Sequence, residues 1–334
     1  MAQRPRAANR KRSGGPLRAL LLLIGALTAA CSPPAALDAP SRDMTIRDMT
    51  VRDMTIRDMA GGQDIAFAAA LDKLAGADAL LLGERHDNPA HHRLQALIAR
   101  ELVARGRRLV VAFEMIEDDQ QPLLDAFLAA RPRDAAGLGE LLGWDRSGWP
   151  DWTQYRPIAD AALAQPNPPA HPIRPANLPL ALARDIARNG LDAGGLDAAL
   201  AETLRQAAAR DPALLAAHGE DIRDSHCGML PERALAPFAL AQYARDAAMA
   251  RSIQAARRET PDALVLLIAG NGHARRDVGV PRHLARLAPG LKIMSVGLLE
   301  GDAASFDPAP FDLLWRSAPL AREDPCAALR QPVR

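Results

Sequence analysis

The sequence lacks several features that mark common classes of protein. Its net charge is only +1 over 334 residues, so it has no excess of positive charge of the kind that nucleic-acid-binding proteins carry. No serine lies in a Gly-x-Ser-x-Gly elbow, which argues against a serine hydrolase. Hydrophobic residues are plentiful, however. At 49% they suffice for a large core, either in one domain with a long insertion or in two domains.

The apolar run near the N-terminus is too short to span a bilayer comfortably. It extends from residue 19 to residue 30, follows six basic residues and ends in small residues before Cys31. This pattern is typical of a secretory signal, and Leu27-Thr-Ala-Ala-Cys31 resembles a bacterial lipoprotein processing site, in which the cysteine becomes the lipidated first residue. Ser32, which follows, resembles signals that are sorted to the outer membrane.

We therefore predict a signal peptide and lipidation site over residues 1–31, and a protein that is lipid-anchored in the bacterial cell envelope at the outer membrane, facing the periplasm. An ordinary signal peptide cut near Ala30 is the alternative. Removal of the six basic residues from a chain of net charge +1 leaves −5. Export also permits a disulfide between Cys227 and Cys326, although their separation in the sequence leaves the pairing open.

Four segments follow one another along the sequence. After the signal, residues 32–62 contain a tandem five-residue repeat that begins as Arg42-Asp-Met-Thr-Ile46. A period of five matches neither a helix face nor strand alternation, so we predict a linker. Residues 63–318 form the predicted α/β domain, and residues 319–334 form a C-terminal tail.

Apolar runs bounded by Pro or Gly alternate with helical patterns in the predicted domain. This alternation predicts an α/β fold, with a mostly parallel sheet flanked by helices. Ala-rich helical stretches without strands predict an inserted helical cap subdomain, with insertions near residues 118–160 and 191–230. The predicted strands are Ala79–Leu82, Leu109–Phe113, Ile173–Asn177, Ala263–Ala269 and Leu291–Leu298.

Ionisable side chains follow three of these strands. Glu84 and His86 follow the first, Glu114 the second and His273 the fourth. Because the carboxyl ends of parallel strands meet at one edge of the sheet, we expect these four side chains to line one pocket. They are suited either to hold a divalent metal with an open position or to act as acid and base without metal. Both alternatives describe a hydrolase.

Aromatic residues are scarce, but they cluster in one loop. The chain has only four Trp and two Tyr, and Trp144, Trp149, Trp152 and Tyr155 lie within twelve residues. Such a cluster forms either a ligand wall or a separate hydrophobic cluster. A tyrosine phenolate can also ligate ferric haem. His226 lies just before a long predicted helix and has three candidate roles. It is a second ligand of the iron, a hydrogen-bond partner of the first ligand, or a helix-capping residue that binds no ligand.

Seven short motifs follow one another along the predicted domain. They are Gly83-Glu-Arg-His-Asp-Asn-Pro89, Phe113-Glu-Met115, Trp152-Thr-Gln-Tyr155, Ala176-Asn177, Arg245-Asp-Ala-Ala-Met-Ala250, Ala269-Gly-Asn-Gly-His273 and Val280-Pro281. As a set they resemble the ChaN-type haem-binding lipoprotein family. The match runs from about Asp64 to Leu298 and keeps the order of the motifs. The family is similar in fold to erythromycin esterases and TIKI-type metalloproteases.

The resemblance implies haem or iron handling, with haem held by a tyrosine at the interface of a homodimer. The leading hypothesis is haem binding without turnover, with the Tyr155 phenolate on ferric iron and His226 nearby. Trp149 and Trp152 then pack on the porphyrin, and Arg156 is available to the propionates. An outer-membrane haem receptor is an expected partner. The alternatives are a hydrolase that uses Glu84, His86, Glu114 and His273, and an interaction protein in which those residues are structural.

Overall fold

The computed structural model describes residues 55–192, 194–301, 310–323 and 326. The predicted signal peptide, Cys31 and most of the predicted linker lie outside these residues. The described residues belong to one compact unit. No helix in these ranges is long and apolar enough to cross a membrane.

The described part of the chain contains an eight-stranded sheet with the order β2-β1-β8-β7-β3-β6-β4-β5. All neighbours from β8 to β5 pair in parallel, while β1 pairs antiparallel with both β2 and β8. The mostly parallel α/β sheet predicted from the sequence is therefore confirmed. The strands are β1 (Thr55–Asp58), β2 (Gln63–Asp64), β3 (Ala79–Glu84), β4 (Leu109–Glu117), β5 (Ile173–Asn177), β6 (Leu264–Gly270), β7 (Ile293–Glu300) and β8 (Leu313–Ser317).

Helices cover both faces of the sheet. Strands β3 and β6 are buried along their whole length, which explains why they are apolar without alternation. The helices are α1 (Phe67–Ala75), α2 (Pro89–Ala104), α3 (Gln121–Ala129), α4 (Leu138–Leu141), α5 (Trp152–Leu163), α6 (Leu180–Asn189), α7 (Ala198–Arg210), α8 (Pro212–Ser225), α9 (Glu232–Glu259), α10 (Asn271–Ala274) and α11 (Val280–Leu287).

Two apolar cores lie on opposite faces of the sheet. On one face, α1, α2 and α5 pack on side chains such as Leu80 and Val111. On the other, α9 and α11 pack on Leu81 and Val265. Because successive side chains of a strand point to opposite faces, Leu80 and Leu81 belong to different cores. A third apolar cluster joins α6, α7, α8 and α9.

The inserted helices occupy two places in the chain. Helices α3, α4 and α5 lie between β4 and β5, and α6 to α9 lie between β5 and β6. Helix α2 begins at Pro89, because Asn88 accepts a hydrogen bond from the backbone N–H of Ala90 at 2.8 Å and Pro89 occupies the first turn.

The predicted linker over residues 32–62 does not extend to residue 62. Thr55–Asp58, the end of the repeat, pairs with β8 as β1, and Gln63–Asp64 continues the edge. Ile56 is buried in the core, and Asp58 pairs with Lys73 at 3.0 Å. A five-residue period prevents a long strand but does not prevent four residues from alternating between two faces, so the prediction failed at this boundary.

Cys227 and Cys326 form a disulfide. The sequence had left this pairing open. The bond attaches the C-terminal tail to the residue that follows His226 at the end of α8.

Candidate functional site

A cleft of about 1190 Å³ lies at the carboxyl ends of five adjacent parallel strands. Each strand contributes at least one lining residue near its end, including Leu298 from β7, Glu84 from β3, Gly270 from β6, Glu114 from β4 and Asn177 from β5. Ligands collect at this edge in open α/β sheets. The four ionisable residues predicted to share one pocket do so, because Glu84, His86, Glu114 and His273 all line the cleft.

Glu84 is a buried carboxylate at the end of β3, and it holds His86. Its Oε1 accepts hydrogen bonds from the Tyr155 hydroxyl at 2.7 Å and from His86 Nδ1 at 2.9 Å, while His92 Nε2 lies 3.4 Å away. Burial opposes ionisation of Glu84, but the hydrogen bonds from His86 and His92 outweigh it and lower its pKa. Burial likewise opposes protonation of His86, but Glu84 and the charge of Glu114 raise its pKa.

Glu114 lies at the centre of the cleft floor. The register of β4 against β5 shifts between Phe113 and Glu117, so Glu114 sits at an irregularity in the strand. Its Oε2 accepts from the backbone N–H of Gly270 at 2.7 Å, and its Oε1 accepts from Arg245 at 2.6 Å. Burial opposes ionisation, but His273 and Arg245 hold the pKa of Glu114 well below its usual value.

His273 links Glu114 to a second buried carboxylate. Its Nδ1 donates to Asp246 Oδ1 at 2.5 Å, and its Nε2 lies 3.2 Å from Glu114 Oε1. Burial would lower the pKa of His273, yet the charges of Glu114 and Asp246 raise it to about 9. The imidazole is therefore charged at neutral pH. Carboxylates and imidazoles thus alternate along the floor in the order Glu84, His86, Glu114, His273, Asp246 and His218.

Gly270 leaves room for His86 against this floor. A Cβ atom at Gly270 would lie 2.9 Å from His86 Nε2 and 3.7 Å from Glu114 Oε2. Any larger residue would displace the imidazole. The glycine at the end of β6 is therefore explained by the close approach of His86, whose Nε2 is 3.9 Å from Glu114 Oε2.

The walls of the cleft differ from its floor, because they are mainly apolar. One wall is a single face of α6, which presents Leu180, Ala183, Arg184, Ala187 and Arg188 at helical spacing. Further wall residues come from α8 and α9, which share an apolar cluster with α6, and they include Ile222, His226, Phe238 and Ala241. Leu180 and Phe238 are among the large apolar side chains that remain exposed. The cleft can therefore hold a flat apolar ligand with charged groups at one edge.

His226 ends α8 and faces the cleft. Its Nδ1 lies 2.9 Å from the backbone carbonyl oxygen of Ile222, and since a carbonyl only accepts, Nδ1 donates. The aromatic ring of Phe238 packs edge-on against the imidazole, with the ring centres 6.1 Å apart.

The family model for "Haem-binding uptake, Tiki superfamily, ChaN" matches residues 70–284 of this chain. The chain belongs to the ChaN family. This confirms the resemblance found in the sequence.

A solved structure of a family member has the same fold. The structure described as "Cofacial heme binding to ChaN of Campylobacter jejuni" is 24% identical, has a TM-score of 0.63, and the match covers 79% of this chain and 96% of that one. A mutant of the erythromycin esterase EreC in its open conformation is less similar, at 16% identity and a TM-score of 0.39, over 82% of this chain and 85% of that one. No curated protein sequence matches the chain.

The four aromatic residues of the predicted loop divide into two groups in this ChaN family member. Trp149 lines the cleft and packs edge-on against His86, with ring centres 4.9 Å apart. Trp144, Trp152 and Tyr155 are instead part of the main core. The indole of Trp152 donates to the carbonyl oxygen of Ala135 at 3.0 Å, so Trp152 does not reach the cleft in this structure.

Tyr155 and Arg156 also lie away from the cleft surface. Tyr155 is fully buried under Glu84, and burial together with the charge of Glu84 raises the pKa of its hydroxyl. A phenolate ligand at Tyr155 stays a prediction, and this position gives it no support. Arg156 forms an exposed pair with Asp160 at 3.4 Å and is not among the lining residues.

Several residues of the site were missed by sequence reasoning. Arg245, which lines the cleft, and Asp246, buried beneath it, lie on α9 inside one of the ChaN motifs, yet no chemical pattern marked them as partners of Glu114 and His273. Arg184 and Arg188 had a detectable signal, since two arginines four residues apart share one face of a helix. Within the described ranges, no group of three or more His, Cys, Asp or Glu side chains is arranged to hold a metal ion. The four floor residues on which the hydrolase alternative rests do come together, but the family match does not favour a hydrolase.

Proposed function

We propose that this ChaN family member binds haem in the cleft lined by α6, α8 and α9. The observation that carries the proposal is the mainly apolar lining that these helices provide above a charged floor. A porphyrin has two flat apolar faces, and their burial contributes roughly 25 cal/mol per Å². Ala183 and Ala187 have short side chains, which let a flat ring approach the backbone of α6. The 1190 Å³ of the cleft is ample for such a ligand, since typical small-molecule pockets have about 300–1,000 Å³.

Arg184 and Arg188 are suited to bind the haem propionates. Both line the cleft, both are exposed, and neither has an ion-pair partner among the described residues. Arginine pairs readily with carboxylates through two parallel hydrogen bonds. We propose this pair in place of Arg156, whose guanidinium is held by Asp160.

We further propose that the protein serves haem uptake as a lipoprotein of the cell envelope. The lipoprotein pattern at Cys31 supports this location, and the disulfide between Cys227 and Cys326 is of a kind that persists in oxidising compartments. An outer-membrane receptor that supplies ferric haem is the expected partner.

A homodimer is also part of the proposal. Leu180 and Phe238 are large apolar residues that stay 51% and 42% exposed beside the cleft, and a second copy of the chain would cover them. The cofacial haem binding named for the Campylobacter protein is consistent with two copies that meet at their clefts.

A titration with ferric haem tests the proposed function. We expect a saturable shift of the haem absorption band in the wild-type protein, because ligation and burial change the haem spectrum. In Ala187→Trp the bulky side chain fills the cleft beside α6, so binding should weaken strongly. Ala130→Trp, at the exposed end of α3, is the matched control. An unsaturable wild-type titration, or equal affinity of the Ala187 variant, would contradict the proposal.

A further inference from the structure

Only a side chain that can reach a haem in the cleft can ligate its iron. The chain has two tyrosines, Tyr155 and Tyr243, and both are 0% exposed. The hydroxyl of Tyr155 donates to the buried carboxylate of Glu84 at 2.7 Å. Deprotonation would put two negative charges at that distance inside the protein, which the low dielectric makes very costly. Tyr243 packs against His283 behind the cleft, with ring centres 4.6 Å apart, and does not line it. Neither tyrosine offers a phenolate to a ligand in the cleft.

Four histidines line the cleft, and the floor occupies three of them. His273 uses one ring nitrogen on Asp246 and the other on Glu114. His86 lies between two carboxylates, with Nδ1 bound to Glu84 and Nε2 turned towards Glu114. His218 is 3% exposed, with Nε2 3.6 Å from Asp246 Oδ2. Movement of any of these imidazoles onto an iron atom would leave a buried carboxylate without its partner, which is costly.

His226 is the exception among the four. Its Nδ1 proton is directed to the carbonyl of Ile222 at 2.9 Å, and the nearby hydroxyl of Ser225 donates to the same carbonyl at 3.1 Å. Because Nδ1 carries a proton in this arrangement, Nε2 is the ring nitrogen that remains available to bind a metal. No described residue forms a hydrogen bond with Nε2. Metal-binding histidines commonly donate their second N–H to a backbone carbonyl in this way, which orients the ring.

The backbone beside His226 is also held in place. His226 caps α8 with its own N–H bonded to the carbonyl of Ile222, and the next residue, Cys227, is fixed by its disulfide to Cys326. Phe238 packs against the imidazole from α9. A ligand that is oriented before iron arrives loses little conformational freedom on binding.

We infer that Nε2 of His226 ligates the iron of haem bound in the cleft, so that the ligand is an imidazole and not a tyrosine phenolate. The inference rests on the proposed haem binding. It assigns separate tasks to the two parts of the cleft: the α6 wall and its arginines hold the porphyrin, and the end of α8 holds the iron.

Ferric haem added to the full chain tests the inference, with absorption and electron paramagnetic resonance spectra as the readout. We expect His226→Gly to weaken haem binding about 10-fold or more, because even changes in outer-shell partners cost about 10–100-fold in metal affinity. Free imidazole should restore the wild-type spectrum in this variant by entering the space that the side chain leaves. Tyr155→Phe should keep the wild-type spectrum. His171→Gly, an exposed histidine that contacts Glu259, is the matched control.

Two results would overturn the assignment while leaving haem binding intact. One is an unchanged spectrum and affinity in His226→Gly. The other is loss of the iron-ligand signature in Tyr155→Phe, provided that circular dichroism shows the variant to be folded. Failure of the wild-type chain to bind haem saturably would instead remove the proposed function, and the ligand assignment with it. His226→Gln, which keeps a polar side chain of similar length, separates loss of the ligand from loss of the helix end.

Discussion

His273 Nδ1 donates to Asp246 Oδ1 at 2.5 Å, and both residues are buried beneath the cleft. The pair joins α10, which directly follows β6, to the long helix α9, and it keeps the floor of the cleft charged. Because Glu114 lies on the other side of the same imidazole, at 3.2 Å, the two carboxylates share one positive charge. The floor is therefore a single electrostatic unit.

Replacement of Asp246 tests the stability of that unit. We expect Asp246→Asn to lower the free energy of unfolding by about 3 kcal/mol, at the low end for breaking a buried ion pair, because Glu114 still faces His273. Urea denaturation measures the change. Asp262→Asn, which removes an exposed pair with Arg108, should cost less than about 1 kcal/mol. Equal costs in the two variants would show that the buried pair has no special role.

The raised pKa of His273 predicts a dependence of stability on pH. A histidine whose pKa is about 9 in the folded chain and about 6.5 when unfolded stabilises the fold fully below pH 6.5. That contribution is lost as the pH rises through about 9. We expect the unfolding free energy of the wild type to fall between about pH 7 and 9.5, and to fall less in His273→Gln. Parallel pH profiles for the two proteins would refute this assignment.

The two arginines of α6 are expected to bind haem through its free propionates. The double substitution Arg184→Gln with Arg188→Gln should weaken ferric haem binding about tenfold, which corresponds to ~1.4 kcal/mol. Haem dimethyl ester has no free propionates, so its affinity should not change in the variant. Arg156→Gln is the control on α5. If both forms of haem respond equally, the arginines do not bind the propionates.

The disulfide is expected to affect both the stability of the fold and the affinity for haem. Removing a native disulfide costs about 2–5 kcal/mol, and the long separation of Cys227 and Cys326 places Cys227→Ser in the upper part of that range. Because Cys227 follows His226, we also expect weaker haem binding in the reduced protein at a temperature where it remains folded. Haem titrations with and without reductant measure this. Unchanged affinity would mean that the disulfide stabilises the fold without positioning His226.

Replacement of Cys31 tests the predicted lipid anchor in the membrane. Lipid attachment requires its thiol, so Cys31→Ala should release the protein from the membrane fraction and lower its mass by the lipid, as measured by fractionation and mass spectrometry. A variant that stays membrane-bound with unchanged mass would contradict the lipoprotein prediction.

The sequence predicted the sheet well because buried parallel strands are apolar along their whole length. All five predicted strands exist, Glu84 lies at the end of β3, and His273 follows β6 within α10. The short strands β2, β1 and β8, which form one side of the sheet, were missed. In β1, only Ile56 and Asp58 are buried, which is too little alternation to detect inside a repeat.

The site was predicted less completely because its remaining parts come from distant helices. Asp246 and Arg245 reach the floor only through the packing of α9, which no local pattern reveals. The aromatic loop was ambiguous for a different reason. Trp149 and Trp152 are three residues apart, yet one lines the cleft and the other fills the core, since Trp149 lies in the loop before α5 and Trp152 is the first residue of the helix.

The position of iron in a crystal of the chain soaked with ferric haem tests the account most directly. Anomalous diffraction at the iron edge locates the metal without reference to the porphyrin. We expect one strong peak inside the cleft, within bonding distance of His226 Nε2 and beside α6. A peak beside Tyr155, or on a surface away from the cleft, would contradict it.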